Sequence, residues 1–147
     1  MYEQISSIIG VFTYNEQMGC YEQTDGVVRW YIEAEGVLTL LNKAEHLYSK
    51  LEVFDQTAKE AIADKLLSYK NDVWPQYDEN DPDLDWDAVD AGAFDVTKDQ
   101  FVSLLRLYDV VIKKAGVYGE YHDGDLLGGH RIHVTFDEQG RVLEASI

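Results

Sequence analysis

The chain has 147 residues, a length that fits one domain with a core large enough to fold without disulfides. It carries 28 acidic and 12 basic residues, a formal net charge of −16, which disfavours nucleic acid and anionic lipid as partners and favours a basic protein. A lone cysteine, no signal-peptide pattern and no apolar stretch of about 20 residues predict a cytoplasmic protein without a membrane span.

Short β-rich runs occupy the first forty residues. They read IIGVFTYN, CYEQ and VVRWYIEA. In the third run apolar and polar residues alternate from Val28 to Glu33, which is the period of a half-buried strand. The pair Asp25-Gly26 favours a tight hairpin turn, because glycine tolerates positive φ. The sequence therefore predicts an antiparallel meander at this end.

An amphipathic helical pattern extends over residues 42–71. Apolar residues recur three and four positions apart, with charged residues between them. We expect Asn42 to cap the start and the polar run from Asp55 to Thr57 to break the helix into two segments. The residues expected to pack on the sheet are Leu47, Leu51, Phe54, Ile62 and Leu66.

An acidic connection follows at about 72–96, with both prolines of the chain and no basic residue. It resembles a calcium loop only superficially, because Trp86 and Gly92 stand where such a loop needs glycine and glutamate. Either it is a solvated linker, or it is a docking surface for a basic partner with aromatic anchors among the charges. The residues assigned to that docking surface are Asp83, Asp85, Trp86 and Asp87.

The last third of the chain returns to strand patterns. Thr97 and Gln100 match a capping box and predict a short helix. Four alternating runs follow, and they read DVVIKKAG, VYGEYHDGD, HRIHVTFDEQG and RVLEASI. The fold class is therefore α+β, with antiparallel meander regions at both ends of a single domain, 1–147, and helices between them packed on the sheet.

Four motifs together resemble those of a bacterial family. They are FTYNEQMGCYE, LSYKNDVW, TKDQFVSLLRL and YHDGDLLGGHRIHV, in this order over nearly the whole chain. With them the chain resembles the family catalogued as domain of unknown function 2262. Relatives carry an aromatic-rich stretch ending in Gly-His, whereas this chain has Gly128 before Gly129-His130. The resemblance implies a fold but no activity.

The stretch from Tyr121 to His133 admits three interpretations. As an active site it would use Asp123 or Asp125 as a base and His130 as a proton shuttle, but no serine or cysteine nucleophile accompanies them. As a metal site it would need His130 and His133, which point to opposite faces of a strand. We favour the third interpretation, a turn formed by Asp123 and Gly124.

Two classes of function remain open. The first is a non-enzymatic acidic binding protein, an immunity-like or regulatory partner of a basic protein. Its candidate binding residues are the docking residues given above together with Asp123, Asp125 and His130. The second is an enzyme of unknown reaction that uses these last three residues. The charge excess favours the first class, and we expect neither a cofactor nor a metal.

Overall fold

The computed structural model describes residues 3–73, 97–124, 131–137 and 140–147. Within these ranges the chain forms eight β-strands and three α-helices. The strands are β1 Gln4–Ser6, β2 Val11–Asn15, β3 Cys20–Gln23, β4 Arg29–Glu33, β5 Arg106–Lys113, β6 Gly116–His122, β7 Arg131–Phe136 and β8 Val142–Ser146. The helices are α1 Val37–Ser49, α2 Leu51–Val73 and α3 Lys98–Leu104.

The eight strands form one sheet in the order β1 to β8. Neighbouring strands are antiparallel within each half, whereas β4 and β5 run parallel where the halves join. Parallel neighbours need a long crossover, and the stretch that contains the helices provides it. The predicted order of β regions at both ends with helices between them is thus confirmed in outline. The structure adds that the two regions are halves of a single sheet.

The core lies between one face of the sheet and the helices. The buried sheet residues are Phe12, Tyr21, Trp30, Ile32, Leu107, Val110, Ile112, Val117, Tyr121, Ile132, Val134 and Phe136. The buried helix residues are Val37, Leu40, Leu41, Ala44, Phe54, Ala58, Ile62, Ala63 and Phe101. Of the helix residues predicted to face the sheet, Phe54 and Ile62 are buried, and Leu47, Leu51 and Leu66 are partly buried against the core. The amphipathic pattern is therefore confirmed.

The predicted end of the helical stretch, near residue 71, is close to Val73, where α2 ends, but the predicted start and the predicted break were wrong. Helix α1 begins at Val37, so that Asn42 lies inside it rather than at its cap. The helical stretch is interrupted at Lys50 and not at Asp55. The backbone N–H of Lys50 donates to the carbonyls of Leu47 and Tyr48. Asp55 does not disrupt α2 because its carboxylate is engaged by Tyr121 and by a lysine one turn later in the helix.

The turn chemistry was predicted in part. Strands β3 and β4 form a hairpin, but five residues, 24–28, connect them, and Gly26 does not adopt a positive φ. The tight turn at Asp25-Gly26 was therefore wrong. The capping box of α3 is present, since Thr97 Oγ1 accepts the Gln100 N–H at 3.2 Å and Gln100 Oε1 accepts the Thr97 N–H at 2.8 Å. No helix in the described ranges is long and apolar enough to cross a membrane.

Candidate functional site

The sheet face opposite the core carries polar, charged and aromatic side chains; we call it the open face. Successive residues of a strand point to opposite faces of the sheet, so the residues that alternate with the buried core residues lie on the open face. Its central members, given by the strand register, are Cys20, Glu22, Arg29, Tyr31, Glu33, Asp109, Val111, Lys113, Tyr118, Glu120, Arg131 and His133.

A β-bulge in β5 changes this alternation at one position. Leu107 pairs with Tyr121 and Asp109 with Glu120, so that Tyr108 is an extra residue in β5. A bulge of this kind redirects side chains that a regular strand would place on opposite faces. Tyr108 and Asp109 are in consequence both engaged with open-face residues, where the Tyr108 hydroxyl donates to Glu120 Oε2 at 2.8 Å.

A bidentate ion pair joins the parallel strands β4 and β5 on the open face. Arg29 Nε and Nη2 donate to the two carboxylate oxygens of Asp109 at 2.7 and 3.0 Å. The Asp109 side chain is only 11% exposed and that of Arg29 is 41% exposed. The carboxylate therefore receives from Arg29 the hydrogen bonds that water would otherwise supply. The hydrogen bond to Asp109 is also the main cause of a raised pKa for Arg29.

Tyr108 is the aromatic centre of the open face. The guanidinium carbons of Arg29 and Arg131 lie 5.7 and 5.4 Å from its ring centre, within the range of a cation–π interaction. Partial burial, and next the hydrogen bond to Glu120, raise the pKa of Tyr108 to about 12. Glu120 also lies 3.1 Å from His133 Nδ1. Residues of β4, β5, β6 and β7 therefore form one connected polar network.

A depression of about 510 Å³ lies beside this network. It is lined by Met18, Gly19, Cys20, Tyr31, Glu33, Asp109, Val111, Lys113, Glu120 and Arg131. Burial is the largest cause of raised pKa values for the Cys20 thiol and the Tyr31 hydroxyl. Both groups are thus stabilised in their protonated forms, which are weak nucleophiles.

A family model described as an uncharacterised protein conserved in bacteria, DUF2262, matches residues 6–147. The chain belongs to this family. The resemblance found in the four sequence motifs is thereby confirmed. No curated protein and no solved structure matches the chain.

Most of the site residues predicted from the sequence of this DUF2262 protein fall outside the described ranges. These are Asp83, Asp85, Trp86, Asp87, Asp125 and His130. Asp123 is described, and it lies just after β6 with no exposed surface. Gly124 follows it with a φ of 62°, a left-handed conformation that suits a turn. The structure does not bring Asp123 to the open face, and it places His133 there instead.

The histidine beside Asp123 is held as an acceptor. The Gly124 N–H donates to His122 Nδ1 at 3.0 Å, so this nitrogen accepts a hydrogen bond from the backbone of the turn. The same nitrogen lies 3.9 Å from Oδ1 of Asp123. Among the residues the structure describes, no group of three or more histidine, cysteine or carboxylate side chains could hold a metal ion.

Sequence reasoning missed the open-face network of the DUF2262 chain. Arg29 and Asp109 are 80 residues apart, and no local pattern links them. The sequence did carry one signal of this network, because Arg29, Tyr31 and Glu33 alternate with apolar residues and so share one face of the strand. The sequence did not show which strand would pair with β4.

Proposed function

We propose that this protein is a non-enzymatic binding protein that associates with a basic protein, as an immunity-like or regulatory partner does. One observation carries the proposal. Six of the twelve basic residues form ion pairs with carboxylates of the chain itself, at N–O distances from 2.7 to 3.7 Å. The pairs are Arg29–Asp109, Lys59–Asp55, Lys98–Asp64, Lys114–Glu35, Arg131–Glu120 and Arg141–Asp137.

Internal pairing of this kind leaves the acidic excess to dominate the field around the molecule. At long range, a cation that lies against its own carboxylate adds little to the field of the molecule, whereas the remaining carboxylates attract positive charge. A strongly acidic chain with half of its cations engaged is thus suited to a basic partner. Electrostatic attraction of this type raises the association rate and disfavours acidic competitors.

The chemistry of the open face supports binding rather than catalysis. The side chains of Cys20, Tyr31 and Tyr108 have raised pKa values, so the fold does not prepare these groups as bases or nucleophiles. Asp123, the one described member of the alternative catalytic set, has no surface through which it could reach a substrate proton. Tyrosine and arginine, by contrast, are the side chains most enriched at protein interfaces.

Affinity capture tests the proposal. The immobilised chain is incubated with a lysate of its native host, and bound proteins are eluted by increasing salt and identified by mass spectrometry. An unrelated acidic protein of similar net charge is the control for simple ion exchange. We expect a basic protein that is retained by this chain, released by salt and absent from the control. Identical retained proteins on both columns, or a specific partner that is itself acidic, would contradict the proposal.

A further inference from the structure

A cleft of about 680 Å³ has no role in the function proposed above. It lies between the junction of α1 with α2, the two residues before β4 and the first residues of β5. Its lining residues are Val27, Val28, Tyr48, Ser49, Leu51, Glu52, Asp55, Lys59, Arg106 and Leu107. Apolar side chains form most of its wall, and four charged side chains are placed in it.

Lys59 is the least exposed of the cleft's charged groups. Its side chain is 21% exposed, and its ammonium lies 3.0 Å from Asp55 Oδ2. The other oxygen of Asp55 accepts the Tyr121 hydroxyl at 2.8 Å. A lysine ammonium has three N–H donors, and this carboxylate offers only one oxygen to them. Lys59 can therefore donate to a second acceptor from within the cleft.

Arg106 supplies a second cation to the same cleft. Within the described ranges no carboxylate lies within ion-pair distance of it, in contrast to Lys59. The remaining acid of the lining, Glu52, is exposed in the first turn of α2. Lys59 and Arg106 thus both line the cleft with N–H donors to spare, whereas each oxygen of the Asp55 carboxylate already has a partner.

The apolar part of the cleft is accessible. Val27 is 92% exposed and Tyr48 40% exposed, and Val28, Leu51 and Leu107 are half-buried or buried behind them. Exposed aliphatic and aromatic groups that flank a concave surface of this volume are typical of small-molecule sites. The ring of Tyr48 also contacts that of the buried Trp30, with centres 6.0 Å apart, which fixes one wall against the core.

We propose that this cleft binds a small monocarboxylic acid with an apolar chain or ring. The carboxylate accepts hydrogen bonds from Lys59 and Arg106, and the apolar body lies against Tyr48, Val28 and Leu51. A charge-assisted bond to a partly buried lysine is strong because water screens it poorly. This proposal does not depend on the proposed protein partner, because it rests only on the residues that line the cleft.

Octanoate is a suitable probe, and 1-octanol is its uncharged counterpart. Binding is followed by ¹H–¹⁵N NMR titration of the full chain. We expect octanoate to shift the amides of Val28, Leu51 and their neighbours, and 1-octanol to bind at least about fivefold more weakly. Lys59→Met should weaken octanoate binding by about fivefold or more, whereas Lys65→Met, on an exposed position of the same helix, should leave it unchanged.

Arg106→Gln is the second charge variant, because Lys59→Met leaves Asp55 without its cation and could lower the melting temperature. It should also weaken octanoate binding and leave 1-octanol binding unchanged. The proposal is overturned if millimolar octanoate shifts no amide of the cleft. It is equally overturned if octanoate and 1-octanol bind alike, or if Lys65→Met and Arg106→Gln have the same effect on octanoate.

Discussion

Glu120 is the residue on which the open-face network converges. Its carboxylate accepts the Tyr108 hydroxyl and lies beside His133 and Arg131, which come from the next strand. Partial burial, and next the hydrogen bond to Glu120, stabilise the phenol of Tyr108 in its protonated form. The network can therefore be tested through the titration of that phenol.

Tyr108→Phe should change the alkaline stability of the protein. The fold raises the pKa of Tyr108 from 10 to about 12, so it favours the protonated phenol. That contribution is complete below pH 10 and is lost as the pH rises through about 12. The wild type should lose stability over this window relative to Tyr108→Phe, which at neutral pH is less stable by about 1 kcal/mol.

Urea unfolding at several pH values measures both effects, and ¹³Cζ NMR of the tyrosines follows the titration itself. Tyr48→Phe, which removes an exposed hydroxyl, is the control. Parallel loss of stability in the wild type and in Tyr108→Phe between pH 10 and pH 12 would show that the phenol is not held by Glu120.

Gly124 and Gly19 form a matched pair for testing the turn after β6. Their φ angles are +62° and +63°, but a Cβ on Gly124 would lie 2.7 Å from Leu104 Cβ, whereas one on Gly19 would meet nothing within 4 Å. Gly19→Ala should cost about 1 kcal/mol of stability from backbone strain alone. Gly124→Ala should cost at least about 1 kcal/mol more, because backbone or helix α3 has to move.

Thermal and urea unfolding of the two alanine variants measure the difference. Equal losses would mean that the approach of Gly124 to Leu104 is not a tight contact in solution.

The turn itself was predictable at this scale, since aspartate followed by glycine carries its own local signal. The Arg29–Asp109 pair was not, because its geometry depends on a bulge and on a strand order that no short stretch encodes.

At the scale of elements, periodicity predicted most of what formed. Short β-rich runs identified β2 and β3, and the alternation of apolar residues identified β4 to β8. The three-and-four spacing identified the helical region, because burial on one side imposes both periods. Strand β1 was missed, since three residues at the edge of a sheet are too few to show a period. The parallel pairing of β4 with β5 was missed as well, because pairing direction depends on the path of the whole crossover.

The capping box of α3 offers a direct test of a local signal that the structure confirmed. Thr97→Ala removes the side chain that accepts the Gln100 N–H and should lower the free energy of unfolding by about 1 kcal/mol. Ser103→Ala, in the same helix, removes a hydroxyl that bonds only a carbonyl of the preceding turn. It should change stability by less than about 0.5 kcal/mol. Urea unfolding compares them, and equal effects would argue against a stabilising cap.

At the scale of the molecule, charge is distributed unevenly along the chain. Ten of the 28 acidic residues and none of the 12 basic ones lie outside the described ranges, which leaves 18 acidic against 12 basic within them. The described surface is therefore only moderately acidic. Eight acidic residues, half of the net charge of −16, lie in 74–96, where Leu84 and Trp86 are interleaved with aspartates.

This distribution predicts that association with a partner is steered by the acidic connection. Replacing Asp83, Asp85 and Asp87 together by asparagine should slow association and flatten its dependence on salt, because the attraction acts before contact. Trp86→Ala should mainly speed dissociation, by a factor corresponding to about 2 kcal/mol, if the ring is a buried anchor. Stopped-flow binding to the captured partner at several salt concentrations separates the two rate constants.

The matched control removes the same number of charges elsewhere, by replacing Glu3, Glu16 and Asp25 with their amides. These residues are distant in sequence from the connection, so the control separates net charge from local charge. If both triple variants slow association equally, steering comes from the field of the whole molecule. If deletion of 78–90 leaves both rate constants unchanged, the connection is a solvated linker, and the partner must bind through the open face around Tyr108 and Arg131.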